Sequence, residues 1–342
     1  MSTNHTNFFT KTAKVLITGA TGAIGPRVVH SLSQAGCQIR AFSVDDPISG
    51  MFPAHVEVVI GDVTDMTAIE SVMQGVDAVV HMAALLHIVN SPPAMREKYE
   101  RINVGGTAAV VAAAIKADVK RVVLFSTIAV YGQANGQVLN EQSPTHPETF
   151  YAQTKLAAEK IVLNARDADG QPLGTVLRLG AVYGSRIKGN YERLTHALAC
   201  NRFIPVGNGL NRRTLVYDKD VGRAAVLAVS HPAAVGRIFN VTDGAFHTLN
   251  EIIESICYAL GRRPPRLSLP VGLSRVVAGI IEKGCRAMGI KSPGIRAMIE
   301  KYIEDIAVNG SLMQKELGFV PQYDLQTGWE ETVKEMREGG AL

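Results

Sequence analysis

Short apolar, β-branched runs recur along the first half of the chain: KVLITG (14–19), QIRAF (38–42), VEVVI (56–60), DAVVHM (77–82), KRVVLFS (120–126) and GTVLRL (174–179). Runs this short and this continuously apolar predict strands buried on both faces, as in parallel sheets. Between them, apolar positions return at helical spacing over 24–34, 66–73, 99–117 and 151–165. Strand alternating with helix predicts a doubly wound α/β fold built on a parallel sheet.

After about residue 180 the alternation weakens, and Gly and Pro punctuate the chain at GNG (207–209), RRPP (262–265) and KSPG (291–294). A smaller, partly helical C-terminal α/β lobe is expected there. Within it, Leu273, Val276, Val277, Ile280, Ile281 and Met288 share one helix face, and Arg275, Glu282, Lys283 and Arg286 share the other. Such a face is expected to pack on the lobe, the alternative being a membrane surface.

Composition narrows the class. The 342 residues are 46% hydrophobic, enough for a sizeable core, and 35 Lys plus Arg against 31 Asp plus Glu leave a small positive balance. There is no run of five like charges, so nucleic acid is not an expected partner. Cys37, Cys200, Cys257 and Cys285 have no CxxC or Cys/His spacing, so reduced thiols and no metal are expected. MSTNHTNFFTKTA lacks an apolar signal core, and no segment offers eighteen uncharged apolar residues, so neither secretion nor a membrane span is expected. The expected location is the cytoplasm, with residues 1–13 a flexible tail.

TGATGAIG (18–25) follows the first strand and opens the first helix, with glycines at 19, 22 and 25. Glycines there permit a tight turn and let the backbone approach a pyrophosphate, which N–H groups at a helix N-terminus bind. Between a strand and a helix at the start of the alternation, this loop predicts a dinucleotide site. Residues 14–180 then read as the dinucleotide-binding domain and 181–342 as mainly a substrate-binding lobe. Folds of this kind that bind NAD carry an acidic group at the end of the second strand for the ribose hydroxyls. Here that position is near Ser43, followed by Asp45 and Asp46, whose charge would repel a 2′-phosphate. Arg40 could reach one, so NAD is expected and NADP stays open. Asp62 either contacts the adenine or merely starts a helix. Asn103, in RINVGGT, is a poor helix former and predicts a buried structural tie beneath the site.

Ligands of open α/β sheets sit beyond the carboxyl ends of the strands, where FSTIAVYG (125–132) puts Ser126 and Thr127. Both hydroxyls are expected to face the cleft. In YAQTK (151–155), Tyr151 and Lys155 are four apart on a helical segment and share a face. A free phenol titrates near about 10, and a neighbouring ammonium with a positive nicotinamide favours its ionised form. Tyr151 is therefore the candidate acid/base, Lys155 its tuner and ribose anchor, and Thr127 the donor to a substrate oxygen.

TGATGAIG, HMAA (81–84), INVGGT, FSTIAVYG, YAQTK, LRLGAVYG (177–184) and RRTLVYDKDV (212–221) together resemble the extended short-chain dehydrogenase/reductases, specifically the NAD-dependent epimerase/dehydratase family. The resemblance continues through FNVTDG (239–244) and KELGFVPQYDLQTGW (315–329). It implies a Rossmann lobe whose cofactor contacts come from Gly19, Thr21, Gly22, Ala23, Ile24 and Gly25, then Ser43, Asp62 and Val63. Ala83, Ala84, Asn103, Ser126, Tyr151 and Lys155 complete that set. Some C-terminal segments are expected to return to the Rossmann lobe. A homodimer pairing through helices near 99–117 and 151–165 is also implied.

Within that family, dehydratases carry an Asp-Glu pair just after the catalytic Thr, whereas this chain has Ile128 and Ala129, so dehydration is not expected. A nucleotide-sugar epimerase needs less: hydride passes from a sugar carbinol to NAD, its proton to Tyr151, and the hydride returns to either face. Thr127, Tyr151 and Arg213 are then the substrate contacts, Arg213 on the diphosphate. Ala181 stands where relatives often have an Asn that bonds substrate, and Leu85, Leu86, Ile88 and Val89 are apolar, either lining a pocket or packing beneath a loop. The alternative is therefore a dehydrogenase of a sugar or hydroxysteroid-like alcohol. His87 and His196 are assigned no role. A cofactor-sensing protein without turnover would be expected to lose Tyr151 or Lys155, and both are present.

Overall fold

The computed structural model describes residues 12–86, 93–288 and 294–342. Residues 1–11 of the expected tail, together with His87, Ile88 and Val89, lie outside the described residues. Seven strands build one parallel sheet: β1 Lys14–Thr18, β2 Gln38–Ser43, β3 Glu57–Ile60, β4 Ala78–His81, β5 Arg121–Thr127, β6 Gly174–Leu179 and β7 Ile238–Val241. Their spatial order is β7-β6-β5-β4-β1-β2-β3, so the direction of winding reverses between β1 and β4. Crevices at such a reversal are where open α/β sheets bind ligands.

Alternation along the strands feeds two cores. Val15, Ile17, Val80 and Val123 face one layer, with Val28, Leu32, Val221 and Ala225 from the helices Gly25–Gln34 and Asp218–Ser230. Leu16, Val79, Val122 and Leu124 face the other, with Ile69, Val110, Ala158 and Val162 from three helices, Met66–Val72, Gly106–Lys116 and Phe150–Asn164. The caps are local: Asp65 accepts from the Thr67 and Ala68 N–H groups, and Thr149 from that of Ala152. Between 96 and 116 the chain stays helical but widens to π geometry over Glu100–Gly105.

Beyond β6 the chain alternates between the sheet and a smaller lobe. The helix Asp218–Ser230, strand β7 and helix Ser311–Leu317 pack with the sheet. The rest centres on Trp329, stacked on Tyr183 at 4.6 Å and flanked by Tyr191 at 6.0 Å. Two short strand pairs, Ala181–Tyr183 with Leu215–Tyr217 and Arg212–Arg213 with His247–Thr248, join the lobe to the sheet's carboxyl edge.

One helix departs from expectation. In Val271–Ala287 the face expected to pack on the lobe is exposed, and the buried stripe is Ser274, Ala278 and Gly279. The reason is close approach. The Arg296 side chain of the neighbouring helix Ile295–Ile303 lies over Gly279, where an added Cβ would come within 2.7 Å of it. Small residues make that contact, and the bulky aliphatic stripe beside them is left outward.

Candidate active site

The glycine loop closes three strand ends into a cradle. Gly19 has φ +71, its N–H donates to the Phe42 carbonyl at 2.8 Å, and a Cβ there would lie 2.8 Å from the Ala83 Cα. Gly25 is more constrained still, since a Cβ would lie 1.9 Å from the Ala20 carbonyl oxygen. No side chain fits at either position. Thr21, Gly22, Ala23 and Ile24 form the outer turn, and Ala23 and Ile24 lie at the mouth of helix Gly25–Gln34, where backbone N–H groups lack helical partners. A pyrophosphate fits such a cradle.

The groups around the loop divide by where their hydrogen bonds go. Ser43 is buried at the end of β2 and its hydroxyl accepts from the Thr21 N–H at 3.0 Å, so it braces the loop from the end of that strand. Asp62 accepts from the Thr64 N–H at 2.8 Å in a turn, and the helix that follows is capped by Asp65. Val63 is buried in the core and Ala83 and Ala84 are half-buried after β4. Arg40 ion-pairs with Glu57 at 2.9 Å and donates to the Val72 and Gln74 carbonyls. Those partners lie at the start of β3 and the end of the next helix, so Arg40 is held at the sheet edge opposite the glycine loop.

On the other side of the crevice, Thr127 ends β5 half-buried, with its Oγ1 accepting from the Ala129 N–H at 3.2 Å. That bond leaves the hydroxyl hydrogen to donate. Tyr151 and Lys155 are one turn apart in Phe150–Asn164. Burial, with a further contribution from Tyr99, pushes the Tyr151 phenol up to about 12. Burial pulls Lys155 down to about 8, against the opposing charge of Glu159. Burial thus holds the phenol above its ordinary value rather than below it.

Ser126 corrects the expectation that both hydroxyls face the cleft. Successive residues of a strand point to opposite faces, and Ser126 is buried with its Oγ donating to Glu159 Oε1 at 2.5 Å. Glu159 is in turn forked by Arg178, at 2.6 Å for Nη2 to Oε2, with both side chains buried. Asn103 is the tie beneath the site. Its Oδ1 accepts from the Leu85 N–H at 2.7 Å, and its Nδ2 donates to the Leu85 carbonyl and to Thr154 Oγ1, both at 3.1 Å. Thr154 Oγ1 donates to the Tyr151 carbonyl at 2.9 Å, so the loop after β4 and the tyrosine's backbone form one bonded chain.

A second chain had no signal in residue spacing. Thr18 Oγ1 lies 2.7 Å from His81 Nδ1, His81 Nε2 lies 3.0 Å from Thr107 Oγ1, and Thr107 donates to the Asn103 carbonyl at 2.6 Å. Because Thr107 uses its only hydrogen on Asn103, His81 Nε2 donates to Thr107 and Nδ1 accepts from Thr18, which is the neutral imidazole. Burial, then the charge of Lys155, lowers its pKa to about 3. A histidine ending an apolar strand was the visible cue.

Arg213 is half-buried, with Nη2 donating to the Lys301 carbonyl at 2.6 Å and the Tyr302 carbonyl at 2.9 Å. The end of helix Ile295–Ile303 thus orients it. His196 is half-buried in the helix Asn190–Ala199. Among the described residues no group of three His, Cys, Asp or Glu side chains could hold a metal ion.

The family model for the NAD dependent epimerase/dehydratase family matches residues 15–242, from the glycine loop through the Tyr151–Lys155 helix to β7. The chain belongs to the NAD dependent epimerase/dehydratase family. It is an enzyme of the extended short-chain dehydrogenase/reductase type, and its relatives divide by substrate. The chain is 26% identical, over 94% of its length and 94% of the other, to the N-acetyl-alpha-D-glucosaminyl-diphospho-ditrans,octacis-undecaprenol 4-epimerase of Escherichia coli O157:H7. It is 25% identical, over 93% of its length and 88% of the other, to a 3 beta-hydroxysteroid dehydrogenase/Delta 5-->4-isomerase of Mycobacterium tuberculosis (strain CDC 1551 / Oshkosh). The structure of MoeE5 in complex with UDP-glucose and NAD aligns with a TM-score of 0.74 at 25% identity, over 95% of this chain and 99% of that one.

Proposed function

We propose that this enzyme is an NAD-dependent epimerase of a diphosphate-linked sugar, with Tyr151 as the proton carrier. What carries the reading is the grouping of Thr127, Tyr151 and Lys155 beyond the carboxyl ends of the strands, with Ile128 and Ala129 in place of acids. Bound nicotinamide would supply hydride acceptance and return. Thr127 donates to the substrate oxygen, Tyr151 takes and returns the carbinol proton at its Oη, and Lys155 stabilises the phenolate. With no carboxyl group at 128 or 129, nothing there protonates a leaving hydroxyl, which favours epimerisation over dehydration.

Gly19 to Gly25 would hold the pyrophosphate, with Ser43 and Asp62 toward the adenosine, Val63, Ala83 and Ala84 along it, and Asn103 tying the loop after β4 to the Tyr151 helix. NAD is favoured over NADP because Arg40 is committed to Glu57, and Asp45 and Asp46 are exposed just beyond β2. Arg213, oriented by two carbonyls and with Nη1 3.6 Å from Glu304 Oε2, would turn from that carboxylate to the sugar's diphosphate. Two copies pairing through the helices Gly106–Lys116 and Phe150–Asn164 belong to the same reading. One observation favours a second: Ala181 is half-buried where an Asn would bond a sugar, which suits an apolar alcohol of the kind named for the mycobacterial relative.

The test is to incubate purified protein with UDP-glucose or UDP-N-acetylglucosamine without added nucleotide, then denature it and identify what is released. Epimeric product with tightly held NAD is expected. An empty protein that converts added cofactor in proportion to product would make it a dehydrogenase instead.

A further inference from the structure

The outward stripe of Val271–Ala287 is large. Leu273, Val276, Val277, Ile280 and Ile281 are 52, 58, 46, 66 and 43% exposed, and Met288 just beyond is 69% exposed. It continues onto the preceding segment through Leu267, 83% exposed, and Leu269, which bridges to Val206 beside the exposed Ile204. Isolated apolar side chains on a surface need no explanation, but a stripe along a whole helix marks a contact.

Charge selects what makes it. Over residues 262–288 and 294–301 there are eight Lys or Arg against two acids, while the rest of the chain has 27 against 29. Both acids are engaged between the helices Val271–Ala287 and Ile295–Ile303: Glu300 is forked by Arg275 at 2.7 and 2.8 Å, and Glu282 accepts from the Arg296 N–H at 3.0 Å. Arg262, Arg263, Arg266 and Lys283 are exposed and make no ion pair with a described residue. A second copy on a two-fold axis would set these cations against themselves. Anionic headgroups complement them, while the aliphatic stripe enters the acyl boundary, the geometry of a helix lying in the membrane plane. No helix among the described residues is long and apolar enough to cross a bilayer, so the contact is with its surface.

We propose that the basic, aliphatic face of the helix Val271–Ala287, with the segment before it, docks the enzyme on a bilayer surface that carries anionic lipid. The inference stands apart from the reaction proposed above. It touches that reaction at one point, since the Lys301 and Tyr302 carbonyls near the end of the helix Ile295–Ile303 orient Arg213.

The experiment is flotation of the full chain with phosphatidylcholine vesicles, with and without phosphatidylglycerol at roughly one lipid in three. Binding only to the anionic vesicles, weakened by salt, is the expected result. The double substitution Val276→Glu, Ile280→Glu should reduce it at least about tenfold. The triple substitution Arg262→Gln, Arg263→Gln, Arg266→Gln should reduce it too, both variants melting as the parent does. Failure of the parent chain to float with anionic vesicles overturns the proposal, as does undiminished flotation of the double variant. So does a parent dimer that the double variant dissociates, which would assign the stripe to a second copy.

Discussion

Proton affinity in the crevice is set by burial. The Tyr151 phenol, at about 12, stays protonated without a bound cation, while Lys155, at about 8, holds its proton weakly. His81 shows the same physics with a cost that can be measured. It is neutral in the fold down to about pH 3, whereas an unfolded imidazole charges below about 6.5. Between those values the unfolded chain binds the extra proton, so stability falls as pH drops, by up to about 1.4 kcal/mol per unit. Urea unfolding at neutral pH and in mild acid should show a shallower acid loss in His81→Asn than in the parent, and equal slopes would contradict the assignment. The neighbours of Tyr151 and Lys155 were legible because the two are one helical turn apart. Those of His81 were not, because Thr18 and Thr107 reach it from 63 and 26 residues away.

Element spans followed from periodicity to within about a residue at most strand ends, and the π-widened turn Glu100–Gly105 was visible only as a misplaced Asn. Periodicity groups residues on a face but does not say which face meets protein. That is why the helix Val271–Ala287 was expected the other way round. The pair Glu159–Arg178 was illegible for a related reason: it joins the helix Phe150–Asn164 to β6 inside the core, where charged residues are not expected unless paired. It also receives the Ser126 hydroxyl and places Arg178 over the Tyr131 ring at 4.7 Å. Removing one partner leaves a buried charge, so Arg178→Met should cost about 3–5 kcal/mol in equilibrium unfolding. A loss below about 1 kcal/mol would contradict the stranding of the Glu159 charge.

Across the whole molecule, the sheet brings together residues from distant parts of the chain: a loop at 19–25 on one side of the crevice and a helix at 151–155 on the other. On the function proposed above, holding the nucleotide and moving the proton are therefore separable, one resting on backbone geometry and the other on a single phenol. The most direct test is Tyr151→Phe, with bound NAD and turnover measured on the same preparation. The account predicts unchanged NAD content and melting with turnover down by about 10²–10⁴. Turnover close to the parent's, at equal NAD content, would contradict it.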